Sequence, residues 1–234
     1  MAQILILIES EIGRTNMGRG KSSWYKERKT ATIPVRTNNL IICVGKETEK
    51  NYFVGAINYF YQNEKARENV SFDVVVDSVD PLNMAYNAQS IVSKIEKENR
   101  IKLNHVWVVF DKDDFPNDNF DNTIMKLNSM SSDNIKYHAL WSNKCFELWL
   151  LLNFVRNQAA ISVSEYMTKL SEYLGEKYKK NDKDIFNKII AKRGRISTAI
   201  RYAKSLIGNS APSANDPATT VYEFFEFYIK YLNI

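Results

Sequence analysis

Four short apolar runs, separated by stretches with helical spacing, constrain this chain more than any other feature. Leu40, Ile41, Ile42, Cys43 and Val44 are apolar without interruption and stop at Gly45. Residues 71–77 carry the β-branched run Val74, Val75 and Val76, residues 105–110 lead an apolar run into Asp111, and residues 135–141 supply the fourth. A strand needs such continuity only when both sides of its pleat meet a core. Between these runs, residues 48–64 place Phe53, Ile57 and Phe60 at helical spacing, and Asp80-Pro81 pairs a capping acid with a proline at the first helical position. Met84, Ala88, Ile91, Val92 and Ile95 continue that second helix as an apolar stripe, and a third is predicted from about Asp118. Strands alternating with helices imply βαβ crossovers, so the expected class is α/β, a mainly parallel sheet flanked by helices. Sites in such sheets lie at the carboxyl edge. The turns after Val44 and after Phe110 share that rim, and they become neighbours if their strands are adjacent at a switch point.

Beyond residue 154 the pattern turns to helix after helix, with predicted spans at 163–174, 184–192, 195–207 and 217–232. Ahead of the core, residues 4–8 form an apolar run read as an extra edge strand. A polar stretch then holds Arg14, Arg19, Lys21, Lys26, Arg28, Lys29 and Arg36 and reads either as a solvated segment or as a nucleic-acid contact. The expected organisation is an N-terminal strand and basic arm or loop over 1–39, an α/β core over 40–155, and a helical C-terminal region over 156–234. With 44% hydrophobic and 25% charged residues the chain is expected to fold over most of its length. No apolar run approaches the roughly 18 residues of a membrane span, and residues 1–8 lack the basic flank and cleavage site of a signal peptide. Cys43 and Cys145 have no metal-knuckle or redox-pair spacing. A cytoplasmic protein without membrane association is therefore expected. The net charge of +5 is compatible with a polyanionic partner, though weak beside that of a dedicated nucleic-acid clamp.

The chemistry-bearing residues are mostly acids. If the chain stays extended past Phe110, Asp111 and Asp113 project to one side and can present two carboxylates to a hard cation, with Asp114 reaching round the turn. Crowded carboxylates at a desolvated rim need a cation or a proton to coexist. The alternative is an acidic loop that ends the strand and caps the next helix. Glu147 sits within the apolar run of residues 145–152 and is either a helix N-terminal cap or a third acid of the rim. His105 and His138 fall in strand-like runs as core histidines, and no serine, cysteine or histidine grouping suggests a nucleophilic triad. Lys192, Arg193, Arg195, Arg201 and Lys204 form a basic set that serves either solvation or phosphate contact. A phosphate-cradling Gly-x-x-x-x-Gly-Lys loop is missing, which disfavours a phosphoryl-transfer or synthetase-like enzyme.

Three blocks together, CVGKETEKNYF at 43–53, VFDKDDFP at 109–116 and SNKCFELWLLLNF at 142–154, resemble the RloB-like family. The tail block from Asn215 through Asp216, Pro217, Ala218, Thr219 and Thr220 to Val221 is similar to that family's closing helix start. The resemblance implies a Toprim-like core in which a glutamate after the first strand and an Asp-x-Asp after a later one bind Mg2+ or Mn2+. It implies a role in phage defence or abortive infection, often beside a partner ATPase. The family's first glutamate falls at Val44 here. Thr48 and Glu49 match the threonine and second acid of that motif, while Glu47 is displaced by one place. The leading expectation is a metal-dependent nuclease acting on RNA or DNA, with Asp111 and Asp113 holding the ion and Asp114 supporting them. Glu49 or Glu47 would complete the site, Glu147 would join as a further acid, and Lys46, Lys112, Lys192, Arg193 and Arg195 would contact nucleic acid. The alternative is a degenerate binding or regulatory subunit that senses a phage product or docks on an ATPase, for which Val44 is the main support. A homo-oligomer is compatible with either.

Overall fold

The computed structural model describes residues 36–45, 47–77 and 81–232, with the backbone alone for 81, 82 and 230–232. The predicted N-terminal strand, the basic arm as far as residue 35, and Lys46 lie outside the described residues. Strand β1 (Thr37–Cys43) leads into helices α1 (Thr48–Phe60) and α2 (Glu64–Asn69), strand β2 (Val70–Val76) and helix α3 (Pro81–Asn99). Strand β3 (His105–Asp111), helix α4 (Asn117–Ser129), strand β4 (Lys136–Asn143) and helix α5 (Glu147–Leu152) follow. The C-terminal region holds helices α6 (Val163–Leu174), α7 (Ile185–Ala191) and α8 (Ile196–Lys204), a short 3-10 turn (Pro212–Ala214), strand β5 (Ala218–Thr219) and helix α9 (Tyr222–Leu232).

The sheet has the order β2-β1-β3-β4-β5, with the first four strands parallel and β5 antiparallel to β4. The period-2 alternation of the strands explains the two layers. Leu40 and Ile42 of β1 and Val106, Val108 and Phe110 of β3 face α3 and α4, where they meet Met84, Ala88, Val92, Phe120, Ile124 and Leu127. The intervening Ile41, Cys43, Trp107 and Val109 face α1 and the C-terminal helices. Apolar residues at one-, three- and four-residue steps, such as Tyr52, Phe53, Ala56 and Ile57, turn one flank of α1 onto the sheet. Helices α5 to α9 add Leu148, Leu170, Phe186, Ala199 and Phe224 to the same cluster, so the helical C-terminal region completes the layer on that face.

The chain steps from β1 to β2 on one side, then passes back over β1 to place β3 on the other. The switch point therefore falls between β1 and β3, and its carboxyl-edge crevice is where such sheets bind ligands. The α/β class and the mostly parallel sheet agree with the sequence expectation.

Three local expectations need correction. Residues 48–64 were expected as one helix, but α1 ends at Phe60 and α2 begins at Glu64. Tyr61 explains the break, because its hydroxyl donates to the Val70 carbonyl at 3.2 Å and accepts from the Phe72 amide at 3.0 Å, which binds the connection to β2. The predicted helix 217–232 starts later, at Tyr222, because Ala218 and Thr219 pair with Asn143 and Ser142 at the edge of β4. The extended path assumed for Asp111 to Asp113 also fails, since Asp113 adopts φ 43°, a left-handed conformation that aspartate tolerates better than most residues.

Candidate functional site

The acidic turn leaves the sheet at the switch point. Asp111, the last residue of β3, lies opposite Ser142 of β4. The Lys112 amide then donates to the Ser142 carbonyl at 2.9 Å and the Asp113 amide to the Lys144 carbonyl at 3.0 Å. These bonds hold the turn against the end of β4, so the left-handed Asp113 carries its carboxylate back over the crevice rather than onward along a strand. Asp111 Oδ2 accepts from the Phe146 amide at 3.0 Å, whereas Oδ1 is buried with no hydrogen-bond partner. An orphaned buried acceptor costs about 1–3 kcal/mol and a charged one more. Burial, then the neighbouring Glu49, Glu147 and Asp113, push the Asp111 carboxyl well above the usual carboxylate range.

Glu49 reaches the same place from the first turn of α1 and is only 6% exposed. The turn between β1 and α1 can pass beneath it because residue 45 is glycine, where a Cβ would overlap the Glu49 carboxylate. Burial raises Glu49 first and foremost, Glu147 and Asp113 add to the rise, and its own backbone amide and Lys180 oppose it. Asp113, nearer the surface, is raised by partial burial, with Lys180 opposing and Glu147 and Asp114 reinforcing the shift.

Glu147 opens α5 and is 1% exposed. Its Oε1 accepts from the Tyr178 hydroxyl at 3.1 Å and pairs with Lys180 Nζ at 3.3 Å. Tyr178 and Lys180 come from the α6–α7 loop, which is fastened over the crevice where the Thr48 hydroxyl donates to the Lys180 carbonyl at 2.7 Å. Partial burial opposes the charge on Lys180, but Glu147 outweighs it and the ammonium is held charged beyond its ordinary range. Four carboxylates thus influence one another at the switch point, with Lys180 as the basic side chain set among them.

The cysteines beside them are not nucleophiles. Burial and Glu49 raise the Cys43 thiol, and burial with Glu147 and Asp111 raises Cys145, so both remain protonated at neutral pH. An all-oxygen donor set with an orphaned carboxylate oxygen suits a hard cation such as Mg2+ or Mn2+. Among the described residues no three of these acids already stand at the spacing of a formed metal site, so side-chain adjustment would accompany binding.

Glu47 is exposed at the N-cap of α1, outside the acidic group, and Asp114 is exposed beside Asp113. Lys112 is half-buried and its Nζ donates to the Phe115 carbonyl at 3.3 Å. Lys192, Arg193 and Arg195 are exposed on the α7–α8 connection. Lys204, from the same basic set, is occupied by Glu226 at 2.6 Å. His105 Nδ1 and His138 Nε2 lie 2.9 Å apart at the opposite end of the strands, packed with Trp107 and Phe227. Burial lowers both, His138 to about 4, in keeping with neutral core histidines. Val44 turns its side chain into the α3–α4 layer. Tyr178 and Lys180 were not nominated from the sequence. Their only local signal is an aromatic residue set among lysines just after the helix-stopping Gly175.

The tail supports the site from the side. Asn143 Nδ2 donates to the carbonyls of Ser213 at 3.1 Å and Asn215 at 2.8 Å, and the Thr220 hydroxyl accepts from the Trp141 amide at 2.9 Å. The blocks at 43–53, 109–116 and 142–154 therefore meet at one edge of the sheet, with the tail block beside them. The family described as RloB-like protein matches residues 39–227, most of the chain. The chain belongs to the RloB-like family. No curated protein and no solved structure matches it. In this RloB-like protein the matched region contains β1 from residue 39 onward, strands β2 to β5, and every acid of the centre. No helix among the described residues is long and apolar enough to cross a membrane.

Proposed function

We propose that this chain is a divalent-metal-dependent nuclease with a Toprim-like core, cutting RNA or DNA phosphodiester bonds in phage defence. The observation that carries this reading is Asp111, half-buried with one carboxylate oxygen enclosed and unpartnered, pressed by Glu49, Glu147 and Asp113 at the switch point of a parallel sheet. Such a group calls for a cation. Asp111, Asp113 and Glu49 would hold Mg2+ or Mn2+, with Asp114 at the rim. The bound ion would neutralise charge on the scissile phosphate and lower the pKa of an attacking water.

The protein's own part is placement. The Phe146 amide fixes Asp111 by one oxygen and leaves the other without a partner. Tyr178 fixes Glu147, and Lys180, with a side chain 54% exposed, balances that glutamate while still open to an incoming phosphate. Glu49 supplies an acid to the crevice although residue 44 is valine. The resemblance supports the defence role and a partner ATPase.

Val44 favours a second reading, a binding or regulatory subunit that keeps the acidic centre without cutting. Incubation with labelled RNA and DNA in Mg2+ or Mn2+, with and without a partner ATPase, separates the two. Cleavage that disappears in Asp111→Ala supports the nuclease. Absence of cleavage under all these conditions sinks it and leaves the binding subunit.

A further inference from the structure

The outer wall of the acidic centre is the α6–α7 loop, and its charges do not cancel. Glu176 and Asp182 both engage Lys188, at 2.6 and 2.7 Å, while Asp184 accepts from Asn187. Lys180 pairs with Glu147. Lys177, Lys179 and Lys183 are left exposed, and none of the ion pairs among the described residues includes them. The loop is nevertheless fixed in place, by Thr48 at the Lys180 carbonyl and by the Tyr178 amide donating to Ser171 Oγ at 3.0 Å.

The positive surface continues from there. Lys192, on the next connection, places its Nζ 3.4 Å from the point a Cβ on Gly175 would occupy, so the two loops are contiguous. Arg193 follows, exposed, and Gly194 packs close to Phe154. Phe154 stacks on Tyr173 with ring centroids 5.1 Å apart and planes 9° from parallel, and Tyr173 remains 42% exposed. A band of cations outside any ion pair thus starts on the loop that carries Tyr178 and Lys180 to Glu147 and runs past an exposed aromatic ring backed by another.

We infer that Lys177, Lys179, Lys183, Lys192, Arg193 and Tyr173 form the track of a single-stranded nucleic acid leading to the acidic centre. This deepens the nuclease reading and rests on it for the direction of the track. Lysines and arginine follow a phosphate backbone without reading sequence. A ring between them stacks an unpaired base, a contact that a duplex, whose bases are already stacked, does not offer.

The test is fluorescence anisotropy of the full chain with short labelled oligonucleotides of RNA and DNA, single-stranded and duplex, in chelator and over a range of salt. Single strands bind more tightly than duplexes, and the two sugars show which nucleic acid is preferred. Combining Lys177→Ala, Lys179→Ala and Lys183→Ala lowers the log–log salt slope by about 2, given about 0.7 per phosphate contact on a single strand. Tyr173→Ala weakens binding by roughly tenfold with the slope unchanged. A control pair on α3, Lys94→Ala with Lys97→Ala, changes neither. Wild-type affinity and slope in both track variants overturn the inference, as do equal affinity for duplex and single strand or no binding by the wild type. Because chelator removes cleavage from the measurement, the two proposals fail separately. Weakened binding by the variants of a wild type that never cuts keeps the track and sinks the nuclease; undiminished cleavage by the variants sinks the track alone.

Discussion

Asparagine at position 111 should make this protein more stable without metal and take away the stabilisation that metal gives. Asp111→Asn keeps the shape of the side chain and an acceptor for the Phe146 amide, but removes a charge opposed by burial and three acids. Its amide nitrogen also places a donor toward Glu49 and Glu147 in place of the orphaned oxygen. Relieving one unsatisfied buried acceptor is worth about 1–3 kcal/mol. For a domain of this size each kcal/mol moves Tm by about 2–4 °C, so the metal-free variant should melt roughly 2–12 °C above wild type at pH 7. A cation at a hundred times its Kd stabilises wild type by about 2.7 kcal/mol, or about 5–10 °C, and the variant should lose that gain. The pH dependence has a definite sign. A carboxyl whose folded pKa lies above its unfolded value binds a proton in the native state that the unfolded chain has released. Stability therefore falls as pH rises from about 4, the unfolded value, through the raised folded one. Metal-free wild type should gain stability between pH 7 and pH 5, and Asp111→Asn should gain less, because Glu49 and Asp113 still contribute in the same direction. Thermal denaturation followed by circular dichroism, with chelator or with Mg2+ or Mn2+ at both pH values, measures every term. A variant that melts below wild type in chelator at pH 7, or an equal metal-induced shift in both proteins, would refute the reasoning.

Gly45→Ala places a methyl group on the Glu49 carboxylate, so metal-dependent stabilisation and metal-dependent cleavage should fall together while the metal-free protein changes by no more than about 1–2 kcal/mol; parallel melting curves and a cleavage assay check this. Tyr178→Phe deprives buried Glu147 of its hydroxyl donor and should cost about 1–2 kcal/mol in urea denaturation at neutral pH, an effect that unchanged stability would rule out. Phe53→Ala empties a position packed against Phe146, Phe224 and Phe225 and should cost about 3–5 kcal/mol in the same assay. A loss below about 1 kcal/mol there would mean that the aromatic layer repacks.

What could be read in advance divides according to whether a signal is local. The core strands were visible because β1 and β3 are buried on both faces and so carry unbroken apolar runs. Helix α6, expected over 163–174, is bounded by local signals, since Ser162 and Glu165 form a capping box and Gly175 takes the left-handed cap at φ 70°. The short β5 was invisible, because two residues become a strand only through the edge of β4 beside them. The acidic centre divides in the same way. Asp111 and Glu147 stand out as charges within apolar runs, so the sequence exposes the cost of burying them. It does not expose what offsets that cost, because Tyr178 and Lys180 reach Glu147 from a loop placed by the packing of α6 and α7. Lys180 is paired with Glu147 and attracts Asp111 only through space, so the free oxygen of Asp111 has no hydrogen-bond partner among the described residues. Either Asp111 keeps a proton or a cation arrives from solution. The first choice leaves stability insensitive to added divalent ions and the second makes it rise with them, while in chelator stability rises as pH falls in either case, so the same melting curves that test Asp111→Asn also decide how its charge is met.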